Sequence, residues 1–186
     1  MDHLVYDLFS GMPASSEDGY SYCLVMVDVA TRFVWLPPLH HKSAAEVAAA
    51  LVDIVVDFGV PKVWSSDNGS EFAEVVSTMS SILGVDKRVS SPYYPESNGL
   101  AERSVQTALQ VIRKTVEGEG ADWARVLPTT QLAMNSKYHE RIGCTPFEAM
   151  LGRSLNGFKD YRGTRLEAPT AEEIRTSMES VRLILR

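Results

Sequence analysis

Five apolar residues stand in an unbroken row at Cys23-Leu24-Val25-Met26-Val27. A strand with one face in water alternates apolar and polar side chains, so a continuous run belongs inside a sheet covered on both faces. Such a sheet requires helices to supply the covering layers. The neighbouring segments agree. His3 to Phe9 reads as a buried strand with one intruding acid, Asp7, and Arg32 to Leu36 reads as a third strand before Pro37-Pro38. Gly11 to Gly19 is a turn region, and Ala30-Thr31 is a tight link, so the three strands predict an antiparallel meander.

Beyond the meander the period changes to that of helices. Ser43 starts one, with Glu46 placed to complete a capping box. Val47, Leu51, Ile54, Val55 and Phe58 form its apolar stripe, and Gly59 with Pro61 ends it. A strand over Lys62 to Ser66 follows, then a helix from about Glu71 to Leu83 and a short strand from Val85 to Ser90. A long helix is expected to begin after Asn98-Gly99 and reach about Glu117, buried through Val105, Leu109, Ile112 and Val116. Another spans Ala121 to about Tyr138, with Pro128 as a kink. The order β-β-β-α-β-α-β-α-α predicts an α/β fold, a mixed five-stranded sheet flanked by helices. Gly152 to Pro169 reads as a linker. Thr170 to Glu173 is a further capping box, opening a C-terminal helix striped by Ile174, Met178, Val181 and Leu185. That pattern runs to Arg186, as expected of a piece of a longer protein.

Composition narrows the function. With 186 residues, one domain is the natural expectation. Asp53 and Asp57 interrupt the longest apolar region, so no membrane span is predicted, and no signal peptide is seen before the first strand. Cys23 and Cys144 form no C-x-x-C pattern, which argues against zinc or a disulfide framework and fits a reducing compartment. A net charge of −6 is unlike a self-sufficient DNA-binding domain, which neutralises phosphates with basic residues. Any contact with nucleic acid must be local or assisted.

The chemistry concentrates between Ser66 and Arg103. Asp67 ends a strand and is followed by the turn residues Asn68-Gly69, whereas Glu102 is read in the first turn of the long helix. Each acid alone has an ordinary explanation: a turn Asp, a helix-dipole Glu, a hydrogen-bonded strand Asp at position 7. Two or three convergent carboxylates repel one another, so together they shift their pKa values or hold a divalent cation. His40-His41 and His139 have no ligand constellation around them and read as surface or structural residues.

From about Leu4 to Arg153 the chain resembles the catalytic core of retroviral and gypsy-type retrotransposon integrases, the D-D-E recombinases of RNase H-like fold. The resemblance rests on Tyr6–Phe9, Val25–Phe33, Ser66–Phe72 and the run Tyr94-Pro95-Glu96-Ser97-Asn98-Gly99-Leu100-Ala101-Glu102-Arg103. Asn135-Ser136 and Thr145–Arg153 extend it. It implies a core over residues 1–153 and a linker with a C-terminal helix over 154–186. The family's zinc-binding N-terminal and basic C-terminal domains are not in this sequence.

By that resemblance Asp7, Asp67 and Glu102 are the catalytic, metal-binding triad, holding two Mg²⁺ ions, with Mn²⁺ a substitute. Asp28 competes with Asp7 but lies on the second strand, where the family has no catalytic acid. The implied reactions are water attack near the end of an element's DNA, then attack of the freed 3′-hydroxyl on target DNA. Asn68, Tyr93, Ser97, Asn98, Gly99, Arg103 and Arg113 are the expected DNA contacts, with Pro92 to Gly99 as a mobile loop and Gly99 its hinge. Gln106 and Leu109 occupy helix positions where retroviral relatives often carry lysines. The implied partners are DNA and further copies of the chain in a homodimer or larger oligomer, with no membrane. The implied place of action is the nucleus or a cytoplasmic pre-integration particle. The spacing departs slightly: 34 residues separate Asp67 from Glu102, one fewer than usual, with the deletion expected between Gly69 and Ser80. Two other readings are a domesticated, non-catalytic dimerisation or DNA-docking module and a different RNase H-like nuclease.

Overall fold

The computed structural model describes residues 1–10, 14–15, 18–66, 73–89, 95–116, 123–156, 170–172, 175–176 and 179. For 73–76, 78, 86–89, 95–102, 104, 115 and 116 the description covers the backbone alone.

Strands β1 (His3–Phe9), β2 (Tyr22–Asp28) and β3 (Val34–Trp35) form the expected antiparallel meander. β5 (Val63–Ser66) then pairs in parallel with the other edge of β1, and β6 (Asp86–Val89) in parallel with β5. The sheet order is β3-β2-β1-β5-β6, with a short β4 (Pro38–Leu39) sharing the outer edge of β2 with β3. The sheet is thus mixed and five positions wide.

The helices are α1 (Ala44–Phe58), α2 (Ala73–Leu83), α3 (Pro95–Val116), α4 (Trp123–Ser136) and α5 (Pro146–Leu151). Cys23 to Val27 are all at most 1% exposed, as a strand covered on both faces requires. Alternation along β1 separates the two layers. Leu4 and Tyr6 join Leu24, Met26, Trp64 and the α1 residues Val47, Leu51 and Ile54 on one face. Val5 and Phe9 join Val25, Val27 and the α3 residues Val105, Ala108, Leu109 and Ile112 on the other. The predicted stripes of both helices are therefore the buried ones.

Several boundaries differ from those expected, each for a local reason. The third strand is not continuous from Arg32 to Leu36. Arg32 takes a positive φ of 64°, outside strand geometry. Leu36 gives its N–H to Gln131 Oε1 at 2.8 Å instead of to a strand. One turn further along α4, Asn135 accepts from Val34 N and donates to Val34 O, both at 2.8 Å. Two α4 side chains thus cover the exposed edge of β3, which would otherwise invite pairing with another chain.

The capping box at α1 is half formed. Ser43 accepts from Glu46 N at 3.3 Å, but the Glu46 carboxylate reaches past Ser43 to His40 N and His41 N. A complete box lies at Thr145 and Glu148 and opens α5, within the segment Thr145–Arg153 that extends the family resemblance. The Thr145 N–H and then the Ser154 hydroxyl hold Glu148's carboxyl below the usual carboxylate range. Pro128 lies inside α4 as expected. Of the C-terminal helix, Ala171, Glu172, Arg175, Thr176 and Glu179 are helical, and its apolar stripe lies outside the described residues. Among the described residues no helix is long and apolar enough to cross a membrane.

Candidate active site

Asp7 is half-buried and accepts the N–H of Leu8 at 2.7 Å. It stands between Val5 and Phe9, so strand alternation turns it to the face covered by α3. The parallel pairing of β1 with β5 runs His3↔Val63, Leu4↔Trp64, Val5↔Ser65, Tyr6↔Ser66. Among the described residues the last pair is formed by those immediately before Asp7 and Asp67 in the sequence. Parallel strands end at the same edge of their sheet, where open α/β sheets collect their functional groups.

Asp67, Asn68 and Tyr93 lie outside the described residues. Ser97, Asn98, Gly99 and Glu102 are described as helical backbone. This corrects the expected Pro92–Gly99 loop: α3 begins at Pro95 and carries residues 95–99 as helix, so Asn98-Gly99 does not mark its start and Gly99 is not a loop hinge. Proline at the first helical position is sterically prepared for that role and lacks only an N–H that has no partner there anyway. Glu102 consequently sits seven residues after Pro95, about two turns into the helix rather than in its first turn. The helix-dipole explanation weakens accordingly, since that effect fades beyond the first turn. Glu102 precedes Val105 by three residues and Leu109 by seven, the spacing of a shared helix face, and both of these are buried against β1 and β2.

Asp28 is a structural residue. It is fully buried, and its Oδ2 accepts from Thr31 N at 2.9 Å and Thr31 Oγ1 at 2.7 Å, closing the turn between β2 and β3. Arg103 is exposed on α3. Arg113 lies eleven residues beyond Glu102, about 16 Å along the helix, with its guanidinium 5.5 Å from the centre of the Phe9 ring. Leu109 is buried at 6% exposure, so that position faces the core here, whereas Gln106 is exposed. Burial pushes the Cys23 thiol far above its usual range, which makes it a packing residue and not a nucleophile. Among the described residues no three His, Cys, Asp or Glu side chains are grouped to hold a metal ion.

Arg32 carries no sequence signal for its left-handed backbone, which closes the turn after β2.

Residues 1–95 match the family model described as "Integrase core domain", and this chain belongs to that family. Among curated relatives, it is 33% identical over 156 residues to the Pro-Pol polyprotein of simian foamy virus type 3 (strain LK3). That alignment covers 83% of this chain and 13% of the polyprotein. It is 32% identical over 144 residues to the human KRAB-A domain-containing protein 2, covering 76% of this chain and 29% of that protein. The chain therefore spans a small fraction of these relatives. Among solved structures, the catalytic core domain of BIV integrase superposes with a TM-score of 0.63 at 22% identity, over 80% of this chain and 93% of that one. An intasome of simian T-cell lymphotropic virus in complex with PP2A regulatory subunit B56 gamma gives 0.66 at 16%, over 90% of this chain and 60% of that one. These likenesses establish the integrase-core, RNase H-like fold.

Proposed function

We propose that this chain is the catalytic core of a retroelement integrase and performs phosphoryl transfer on DNA through Asp7, Asp67 and Glu102. The observation that carries this reading is the β1–β5 register. Among the described residues it runs in step up to Tyr6↔Ser66, each followed directly in the sequence by an aspartate. Glu102 is positioned by α3, whose buried stripe packs over the face to which Asp7 belongs.

The donor set suits a hard divalent cation. Carboxylate oxygens favour Mg²⁺ or Mn²⁺, and no thiol or imidazole accompanies them in the motif. When bound, a pair of such ions activates the attacking oxygen and stabilises the leaving one in an in-line displacement. The chain's own part is to hold three carboxylates in place, one within β1, one directly after β5 in the sequence and one on α3. Asn68, Tyr93, Ser97, Asn98, Gly99 and Arg103 then border the DNA end. Copies of the core pair through helices, and exposed apolar residues support this: Val52 and Val56 one turn apart on α1, 44% and 77% exposed, with Ile82 on α2 also 77% exposed. DNA and other copies are thus the proposed partners, and the nucleus or a pre-integration particle the proposed location.

Metal binding is tested by thermal melting with and without Mn²⁺. A ligand that binds the folded state alone raises stability by about 2.7 kcal/mol at a hundred times its Kd. The Tm of the natural sequence is expected to rise with Mn²⁺ and that of Asp7→Asn to stay level. Equal rises in both would remove Asp7 from the site.

The human relative named for a KRAB-A domain favours one second reading. By that reading this chain serves as a dimerisation or DNA-docking module without catalysis. Metal-independent DNA binding by a chain that never cleaves is the result that selects it.

A further inference from the structure

The rings of Tyr20 and His40 lie stacked, with 4.3 Å between their centres and 24° between their planes. Their elements bring them together. Ser21 N donates to Leu39 O at 3.0 Å, and Tyr22 pairs with Leu39 across β2 and β4. The residue before β2 thus meets the residue after β4. Tyr20 is half-buried and packs against the core layer beneath α3, which holds Val5 and Phe9. Its carbonyl accepts from Ser15 N at 2.7 Å, closing the turn that leads into β2. Gly19 takes a φ of 71° in that turn, and a Cβ there would stand 4.0 Å from His40 Nδ1.

His40 is exposed, with Tyr20 covering one face of its imidazole. Its backbone is fixed by Glu46, whose carboxylate accepts from His40 N at 2.8 Å. Among the described residues no second ring stacks on it, since that of His41 is 6.3 Å away and tilted by 47°. A ring held from below and open above offers stacking at little cost in conformational entropy. The pair also stands at the edge of the sheet where the proposed site lies. Phe9 pairs with Cys23 and Asp7 with Val25, so β2 begins where β1 ends. Tyr20 precedes Val25 by five residues, a span of at most about 18 Å. It belongs to the same sheet face as Asp7.

We propose that Tyr20 and His40 form a stacking platform for an unpaired DNA base, a few nucleotides from the phosphate that reacts at Asp7. Bases of any identity stack on aromatic side chains, because every base has a π-face. Tyr20 is the anchored lower ring, and His40 is the ring that the base touches. Stacking needs no surplus of positive charge, so it suits a chain whose net charge is −6. The platform rests on the proposed function, which makes DNA the substrate.

The test is binding of a fluorescent single-stranded oligonucleotide by anisotropy, without divalent metal, so that it stands apart from catalysis. An abasic oligonucleotide of equal length is the second probe. His40→Ala is expected to weaken binding of the base-bearing strand about tenfold, within the range for one lost base stack. It should leave binding of the abasic strand unchanged. His40→Phe keeps a ring and should bind both strands as the natural sequence does. His41→Ala removes the same kind of side chain from the neighbouring exposed position and should also bind as the natural sequence does. Equal Tm values verify that the variants are folded. Unchanged binding in His40→Ala, an equal loss on both strands, an equal loss in His41→Ala, or no binding by the natural sequence would each overturn the platform. A chain that cleaves DNA with Mn²⁺ while His40→Ala binds normally keeps the catalytic reading and overturns the platform. An inert chain whose base-dependent binding falls in His40→Ala overturns catalysis and keeps the platform.

Discussion

Asp67→Asn and Glu102→Gln are each expected to lower Mn²⁺-dependent DNA cleavage and joining by at least about a hundredfold. Charge stabilisation by a bound metal contributes several kcal/mol to such a transition state, and about 1.4 kcal/mol corresponds to a factor of ten in rate. An amide keeps the size of the carboxylate and loses the charge that holds the cation, so the loss should fall on turnover with little effect on folding. Without metal, either substitution relieves repulsion between convergent acids. The Tm of the metal-free variants should therefore equal or exceed that of the natural sequence. Rates are compared on one DNA substrate at saturating Mn²⁺. A variant retaining more than a tenth of the natural activity would remove that residue from the proposed triad.

Trp64→Ala is expected to cost about 3–5 kcal/mol, the range for deleting a large aromatic side chain from a core. Trp64 is fully buried on β5, opposite Leu4 of β1 and packed in the layer beneath α1. Its indole N–H has no hydrogen-bond partner among the described residues, so the loss is one of packing. A domain of this size has only about 5–15 kcal/mol in total. The urea midpoint should fall steeply, whereas Asp53→Ala, on the exposed face of α1, should move stability by no more than about 0.5 kcal/mol. A Trp64→Ala midpoint matching that of Asp53→Ala would contradict the packing described. Because β5 lies between β1 and β6, loosening it should also weaken the proposed site, and activity should fall at temperatures well below the Tm.

Much of this was legible from residues alone because hydrophobic periodicity is local. The run Cys23–Val27 announced an interior strand, and Val105, Leu109 and Ile112 announced the buried face of α3, as the structure has them. The helix start was misread because Asn-Gly is a strong turn signal. Pro95, four residues earlier, is an equally good opening residue, and only packing decides between them. The division of the third strand depended on Gln131 and Asn135, which are distant in sequence and have no local signature. The Thr145–Glu148 box, by contrast, has the S/T-x-x-E pattern and was open to recognition. Parallel pairing of β1 with β5 is a non-local fact, so the register that brings the chain to Asp7 and Asp67 in step emerges from the fold.

The central claim is that Asp7, on the sheet face under α3, is the first acid of a metal-holding triad, while Asp28 is a turn residue. The direct measurement is a Mn²⁺-dependent disintegration assay on a branched DNA substrate, comparing Asp7→Asn with Asp28→Asn. Asp28→Asn keeps an oxygen for Thr31, so it should lose some stability and keep its activity below the melting range. Asp7→Asn should stay folded and lose activity by about a hundredfold or more. Activity lost in Asp28→Asn and kept in Asp7→Asn, with both proteins folded, would contradict the account.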